Sequence, residues 1–262
     1  MTDLPISCQF FILNSRKKIM WPYPKVIAHR GGGTLAPENT LAAMQCGLDY
    51  GFHAVEFDVM LSKDGVPVLM HDPLFGRTVR GDGGVATTLA ADLLQMDAGC
   101  WFSERFAGER IPSYDEVFRF CQLHGIWMNV EIKPVPGYEE ETGRTVARVS
   151  KELLSLGGNL PLFSSFSFEA LVSAKEQAPD IPRGFLIDQI DSGWLRALQE
   201  LDAVALHTNQ KYLTAVMAAD IKAAGYGLLC YTVNTPERAS EICAWGVDAF
   251  CTDRIDLIPA NF

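Results

Sequence analysis

The chain has no apolar run near the ~18 to 20 residues that a bilayer-spanning helix needs. Its opening segment also lacks the order of a secretory signal, because Asp3 precedes a short apolar patch (8–13) and the basic cluster follows that patch. Positive charge is scarce. Lys and Arg number 22 against 32 Asp and Glu, giving a net charge of -10 and a pI near 5.0. That balance argues against broad attraction to nucleic acid or stable association with an anionic membrane. An anionic ligand would need cations placed locally. Paired cysteine motifs are missing too: the seven cysteines are odd in number, scattered and without CxxC spacing. Neither a disulfide framework nor a zinc site is suggested. Reduced, mostly buried thiols and a cytoplasmic location are the expectations. No internal repeat of about 20 to 50 residues and no low-complexity tract is present.

What is present is an ordinary globular make-up, with 48% hydrophobic and 21% charged residues in 262, enough for a sizeable core. From Lys25 onward short β-branched or apolar runs alternate with longer helical stretches, the pattern of βα units around a parallel sheet. The runs predict eight strands at 26–30, 54–60, 125–133, 161–166, 184–187, 203–207, 227–233 and 249–252. Helices are predicted at about 38–50, 113–123, 141–156, 168–176, 191–201, 215–224 and 236–245. The expected fold is therefore α/β, a (β/α)8 TIM-type barrel. One stretch breaks the rhythm after the second barrel strand. Lys63-Asp64-Gly65 reads as a hairpin turn into 66–71, and the long Gly-rich segment 72–112 reads as a small insertion over the mouth. Residues 1–20 are expected to be a weakly packed extension ahead of a single domain at 21–262.

Strand parity then locates chemistry. In Ala54-Val55-Glu56-Phe57-Asp58-Val59 the two acids share the face that points into the barrel, and Asn129, Glu131 and Lys133 share a face on the next barrel strand. Buried carboxylates without partners are costly. Glu56, Asp58 and Glu131, oxygen donors only, match a hard divalent cation such as Mg2+ or Ca2+. The alternative is an ion-pair network of Lys133 with the acids. His29 and His71 end the first strand and the hairpin strand, and imidazoles suit proton transfer near neutral pH. Arg30 and Lys133 bring fixed positive charge, and a guanidinium can grip two phosphoryl oxygens. Alternation cannot aim His29 and Arg30 inward together, so the strand must bend or end between them, which Gly31-Gly32-Gly33 makes cheap. Those glycines read equally well as a phosphate-binding loop or a plain turn. His53 and His124 fall at helix-to-strand junctions, the stability face of a barrel. His207 is placed at a strand end with its role open. Tyr231 and Asn234 are candidates to line the pocket, and Asp253 to cap or orient.

With these residues in place the chain resembles the glycerophosphodiester phosphodiesterase family, most closely its short bacterial cytoplasmic members. The segments that carry the resemblance are HRGGGTLAPENT (29–40), EFDVMLSKDG (56–65), His71-Asp72, DAGCWF (97–102), EIKP (131–134), YTVN (231–234) and GVDAFCTD (246–253). The resemblance implies metal ligation by Glu56, Asp58 and Glu131 (Mg2+ or Ca2+, with Mn2+ a further option), acid/base work by His29 and His71, and phosphate contacts by Arg30 and Lys133. It implies hydrolysis of glycerophosphodiesters to sn-glycerol 3-phosphate and an alcohol such as choline, ethanolamine or glycerol. Tyr231 stands where many relatives carry Trp. Two rival readings are a phospholipase C- or D-like barrel acting on intact lipid and a catalytically silent binding module. The first needs an apolar interfacial rim, whereas 72–112 carries Asp82, Asp92, Asp97, Glu104 and Glu109. The second would leave the seven polar positions free to drift, yet each holds a competent residue.

Overall fold

The computed structural model describes residues 21–262, and the expected N-terminal extension lies outside the described residues. The chain opens with β1 (Val26–Ala28), β2 (Ala54–Leu61) and a short β3 (Pro67–Leu69). It continues through β4 (Trp127–Ile132), β5 (Leu162–Ser165), β6 (Arg183–Ile187), β7 (Ala205–Asn209), β8 (Gly227–Tyr231) and β9 (Ala249–Thr252). β3 runs antiparallel to β2, with Met60 opposite Val68, as the Lys63-Asp64-Gly65 turn implied. The other eight strands are parallel, and β1 pairs with both β9 and β2, closing a (β/α)8 barrel.

Around the barrel lie α1 (Leu41–Asp49), α3 (Tyr114–Leu123), α4 (Glu139–Leu154), α5 (Phe168–Gln177), α6 (Trp194–Leu201), α7 (Ala215–Ala223) and α8 (Pro236–Ala244), while the short α2 (Ala90–Leu93) belongs to segment 72–112. Their starts are set by hydroxyl caps. Thr40, Ser113, Ser167, Thr214 and Thr235 each accept a hydrogen bond from a first-turn backbone N–H, and Glu116 completes a capping box with Ser113. Two helices begin later than the sequence suggested. α1 starts at Leu41 because Asn39 takes a left-handed conformation (φ 59°) ahead of the Thr40 cap. α6 starts at Trp194 because Asp191 folds a turn onto the Gly193 N–H, 2.8 Å away. β7 also runs later than expected, so His207 sits in mid-strand and not at its end.

Two apolar layers hold the barrel. Val55, Phe57 and Val59 of β2 and Met128, Val130 and Ile132 of β4 pack outward against the helices, which leaves the alternate residues pointing inward. Inside, Ile27, Ala54, Trp127, Leu162, Leu229 and Ala249 form a plug capped by Trp21 and Tyr23. Tyr23 stacks on Trp127 with ring centroids 4.5 Å apart. This closes the end where the strands begin and leaves the other end for the site. Segment 72–112 folds as a satellite: Val79, Val85, Leu93 and Ile111 pack on Met60, Val68 and Met70. Asp97 knits it together by accepting N–H bonds from Gly99, Cys100 and Gly108.

Candidate active site

Glu56 and Asp58 enter the barrel from β2 and Glu131 from the adjacent β4, where register puts Asp58 opposite Glu131. One carboxylate oxygen from each lies within 4.8 Å of the others. All three side chains are nearly or wholly buried. Burial and the neighbouring Asp58 charge push the Glu56 carboxyl up to about 7, and the same causes push Glu131 up to about 8. Burial also opposes ionisation of Asp58, but Lys133 and Arg30 outweigh it and hold this carboxyl well below the usual range. Lys133 Nζ donates to Asp58 Oδ1 at 3.0 Å and stands 3.7 Å from Glu131 Oε1. The ion-pair network considered from sequence thus exists but does not satisfy the cluster. Glu131 Oε1 is buried without a hydrogen-bond partner, and the cations near Glu56 and Glu131 do not offset the burial that raises both carboxyls. An all-oxygen donor set with this deficit fits a hard divalent cation.

β1 ends at Ala28, so His29 follows the inward parity while Arg30 takes φ 52°, the bend that the sequence required. Gly33 lets the loop return: its φ is +54°, and a Cβ there would fall 2.2 Å from the Asp253 carbonyl oxygen. His29 Nδ1 meets Asp253 Oδ1 at 2.6 Å, and its Nε2 lies 3.7 Å from Glu56 Oε2. Burial disfavours the charged ring, but Asp253 and Glu56 outweigh it and raise its pKa. His71 follows β3, with Nδ1 at 2.7 Å from Asp72 Oδ1. Burial lowers its pKa; Arg30 and Lys133 reinforce the shift, and Asp58 and Asp72 offset it only in part. The Arg30 backbone N–H donates to Glu56 Oε2 at 3.2 Å and its Nη1 to Glu38 Oε1 at 2.9 Å. Its Nε has no hydrogen-bond partner and faces Asp58 at 3.6 Å.

Several supporting residues escaped the sequence reading. Asn39 brackets Asp58, donating to Oδ2 at 2.8 Å and accepting the Asp58 N–H at 3.1 Å. Glu38 clamps Arg30 and Arg77, and Arg77 Nε pins Asp72 at 2.6 Å, so one network ties the β1–α1 loop to the His71 loop. Glu38 and Asn39 immediately precede the α1 cap at the mouth, a position that could have flagged them. Arg77 offered no periodicity or motif. Asp253, a candidate to cap or orient, holds His29. Asn234, expected to bind substrate, spends its amide on Asp253: Nδ2 donates to Oδ2 at 2.9 Å and Oδ1 accepts the Asp253 N–H at 2.9 Å. Tyr231 does face the cavity, its hydroxyl donating to the Ile187 carbonyl at 3.1 Å and its ring edge-on to Phe166 at 5.8 Å.

A cavity of about 190 Å³ joins these parts, lined by His29, Arg30, Glu56, His71, Glu131 and Lys133 at its mouth and continuing past Tyr231 to Asn129 and His207. A second opening of about 400 Å³ shares His29 and Arg30 and is walled by Trp101 and Phe102 of the satellite. A barrel mouth that gathers three carboxylates, two imidazoles and two cations is the layout of a metal-assisted hydrolase of phosphate esters.

Comparison with known proteins agrees. Residues 29–257 match the model of the glycerophosphoryl diester phosphodiesterase family. The chain is 34% identical over 233 residues to a glycerophosphodiester phosphodiesterase of Caldanaerobacter subterraneus, covering 87% of this chain and 93% of the relative. It is similar in structure to an Oleispira antarctica phosphodiesterase in complex with the product sn-glycerol-3-phosphate, with 40% identity, a TM-score of 0.84 and coverage of 91% and 94%. It also resembles a glycerophosphodiester phosphodiesterase from Agrobacterium tumefaciens, with 28% identity, a TM-score of 0.76 and coverage of 92% and 100%. The chain belongs to the glycerophosphoryl diester phosphodiesterase family, and is a phosphoric diester hydrolase.

Proposed function

We propose that the protein hydrolyses glycerophosphodiesters, the deacylated phospholipids, to sn-glycerol 3-phosphate and an alcohol such as choline, ethanolamine or glycerol, acting as a short bacterial cytoplasmic member of its family. The observation that carries this is the convergence of an under-neutralised carboxylate cluster with two imidazoles and two cations on one cavity. The 40% identical relative holds that same product. A cytoplasmic setting suits the six described cysteines, which are unpaired thiols.

In this reading Glu56, Asp58 and Glu131 hold a divalent cation, Mg2+ or Ca2+ with Mn2+ as a further option. When bound, the cation supplies Lewis-acid polarisation of a phosphoryl oxygen. Arg30, through its unpartnered Nε, and Lys133 bind the phosphoryl group and absorb the charge that develops on it. His29 and His71 form the acid/base pair: one takes the proton of the attacking oxygen while the other protonates the departing alcohol. Asp253 and Asp72 fix the two ring orientations from the Nδ1 side. Tyr231 and Phe166 wall the glycerol, and Asn234 acts through Asp253 and not on substrate. The attacking oxygen is either water or the glycerol 2-hydroxyl, whose proximity gives it a high effective concentration and which would pass through a cyclic phosphate. Phosphorus NMR of a glycerophosphoethanolamine digest tests the reading. Glycerol 3-phosphate with free ethanolamine is expected, and phosphoethanolamine with glycerol would contradict it. A 2-deoxy substrate separates the two routes, since only the internal one stops.

A further inference from the structure

The floor of the cavity carries polar groups that the chemistry above does not use. Leu206 belongs to the outer core, so His207 in mid-β7 points into the barrel. It is wholly buried, and neither ring nitrogen has a hydrogen-bond partner. Asn129, one inward position before Glu131 on β4, is likewise buried with an unpartnered Oδ1. Both line the 190 Å³ cavity. The imidazole has room only because β6 offers Gly184 beside it, where a Cβ would lie 2.4 Å from His207 Nε2. The ladder partners of His207 are Leu186 and Leu229, the apolar side chains that usually fill a barrel interior. Unpaired polar atoms among them oppose folding, so they make physical sense as groups waiting for a ligand.

We propose that His207 and Asn129 form a subsite for the terminal hydroxymethyl group of the substrate, so that the cavity selects a glycerol unit with its free end pointing down the barrel. Burial drives the His207 pKa down to about 3, so at neutral pH the ring is uncharged and offers one N–H and one lone pair. The Asn129 amide oxygen adds an acceptor. That set complements a hydroxyl, which both donates and accepts, and carries no formal charge to pair with an anion or an ammonium. Arg30 and Lys133 at the mouth of the same cavity take the phosphate, which orients the unit. This inference rests on the functional reading given above.

The test compares two diesters, glycerophosphoethanolamine and an analogue whose terminal hydroxymethyl is a methyl while the 2-hydroxyl is kept. Wild-type protein is expected to favour the first by at least ~10-fold in kcat/KM, because a site built for a hydroxyl rejects the analogue lacking it. In His207→Leu, which suits the Leu186 and Leu229 surroundings, that preference should collapse to within ~3-fold, the non-additivity that marks a direct contact. Asn129→Leu should shrink it in the same direction, and carries the test should His207→Leu fail to fold. A preference retained in both variants, or losses that multiply, would overturn the subsite and leave the functional reading standing. Wild-type protein that hydrolyses neither diester would remove the functional reading, and the subsite with it.

Discussion

Replacing Asp253 by Asn removes a charge from behind His29 while keeping the size of the side chain. The contact at risk is the 2.6 Å hydrogen bond to His29 Nδ1. Hydrogen bonds to charged groups contribute ~1.5 to 3 kcal/mol against ~0.5 to 1.5 for neutral ones, a difference of about 1 to 2 kcal/mol, or ~5- to 30-fold in rate. A second effect adds to this. Asn234 Nδ2 donates to the other Asp253 oxygen, so the new amide will turn its oxygen to Asn234 and its NH2 to His29. Nδ1 then becomes an acceptor and the proton moves to Nε2, the nitrogen that faces Glu56 and the cavity. A ring of the wrong tautomer cannot play its part in both proton transfers. The expected outcome is a kcat lower by at least ~30-fold, a KM within about threefold, and a nearly unchanged Tm. With the partner that raises its pKa gone, the His29 limb of the pH profile should move to lower pH. A kcat within twofold of wild type, with an unmoved profile, would refute the orienting role.

Arg77→Ala cuts the tie between Glu38 and Asp72. Because Arg77 is 45% exposed, its ion pairs are screened, and the change should cost under ~1 kcal/mol of stability while kcat drops about tenfold; paired melting and rate measurements decide. Gly33→Ala combines a left-handed backbone with a clash on the Asp253 carbonyl and should lower Tm by at least ~5 °C; an unchanged Tm would show that the loop can move aside. Saturating Mg2+ or Ca2+ at about 100 times its Kd should stabilise the protein by ~2.7 kcal/mol, and Glu131→Gln should abolish most of that rise in thermal melts. His207 is depressed to about 3 when folded and ordinary when unfolded, so it adds no pH-linked penalty above ~6.5, and stability declines by ~1.4 kcal/mol per pH unit as pH falls from there toward 3 because only the unfolded chain takes up the proton. His207→Leu should flatten this acid limb in a series of melting curves, and an identical limb in both proteins would contradict it.

How far the sequence could be read depended on how local each determinant is. Period-two alternation in β2 and β4 is a local property, and it placed Glu56, Asp58 and Glu131 inside the barrel before any contact was known. The break between His29 and Arg30 followed from the same parity and the glycines after it. Helix starts were misjudged where a side chain closes its own turn, as Asp191 does on Gly193, because such competition is invisible to periodicity. A shift of two residues in β7 turned His207 from a strand-end residue into a floor residue with a different chemical meaning. Arg77 and Asp253 act across 39 and 224 residues of sequence respectively, on Glu38 and His29, and only the closed barrel brings them together.

The central claim is a metal-dependent glycerophosphodiesterase acting on deacylated substrate, and one experiment bears on it most directly. Protein stripped of metal is given glycerophosphoethanolamine or intact phosphatidylethanolamine, with and without restored Mg2+, Ca2+ or Mn2+; glycerol 3-phosphate is read by coupled oxidation, and cleavage of the lipid by the ethanolamine or phosphoethanolamine it releases. The account predicts glycerol 3-phosphate only from the deacylated substrate and only after a divalent cation is restored. Equal rates in excess chelator, or turnover of the intact lipid in place of the deacylated one, would contradict it.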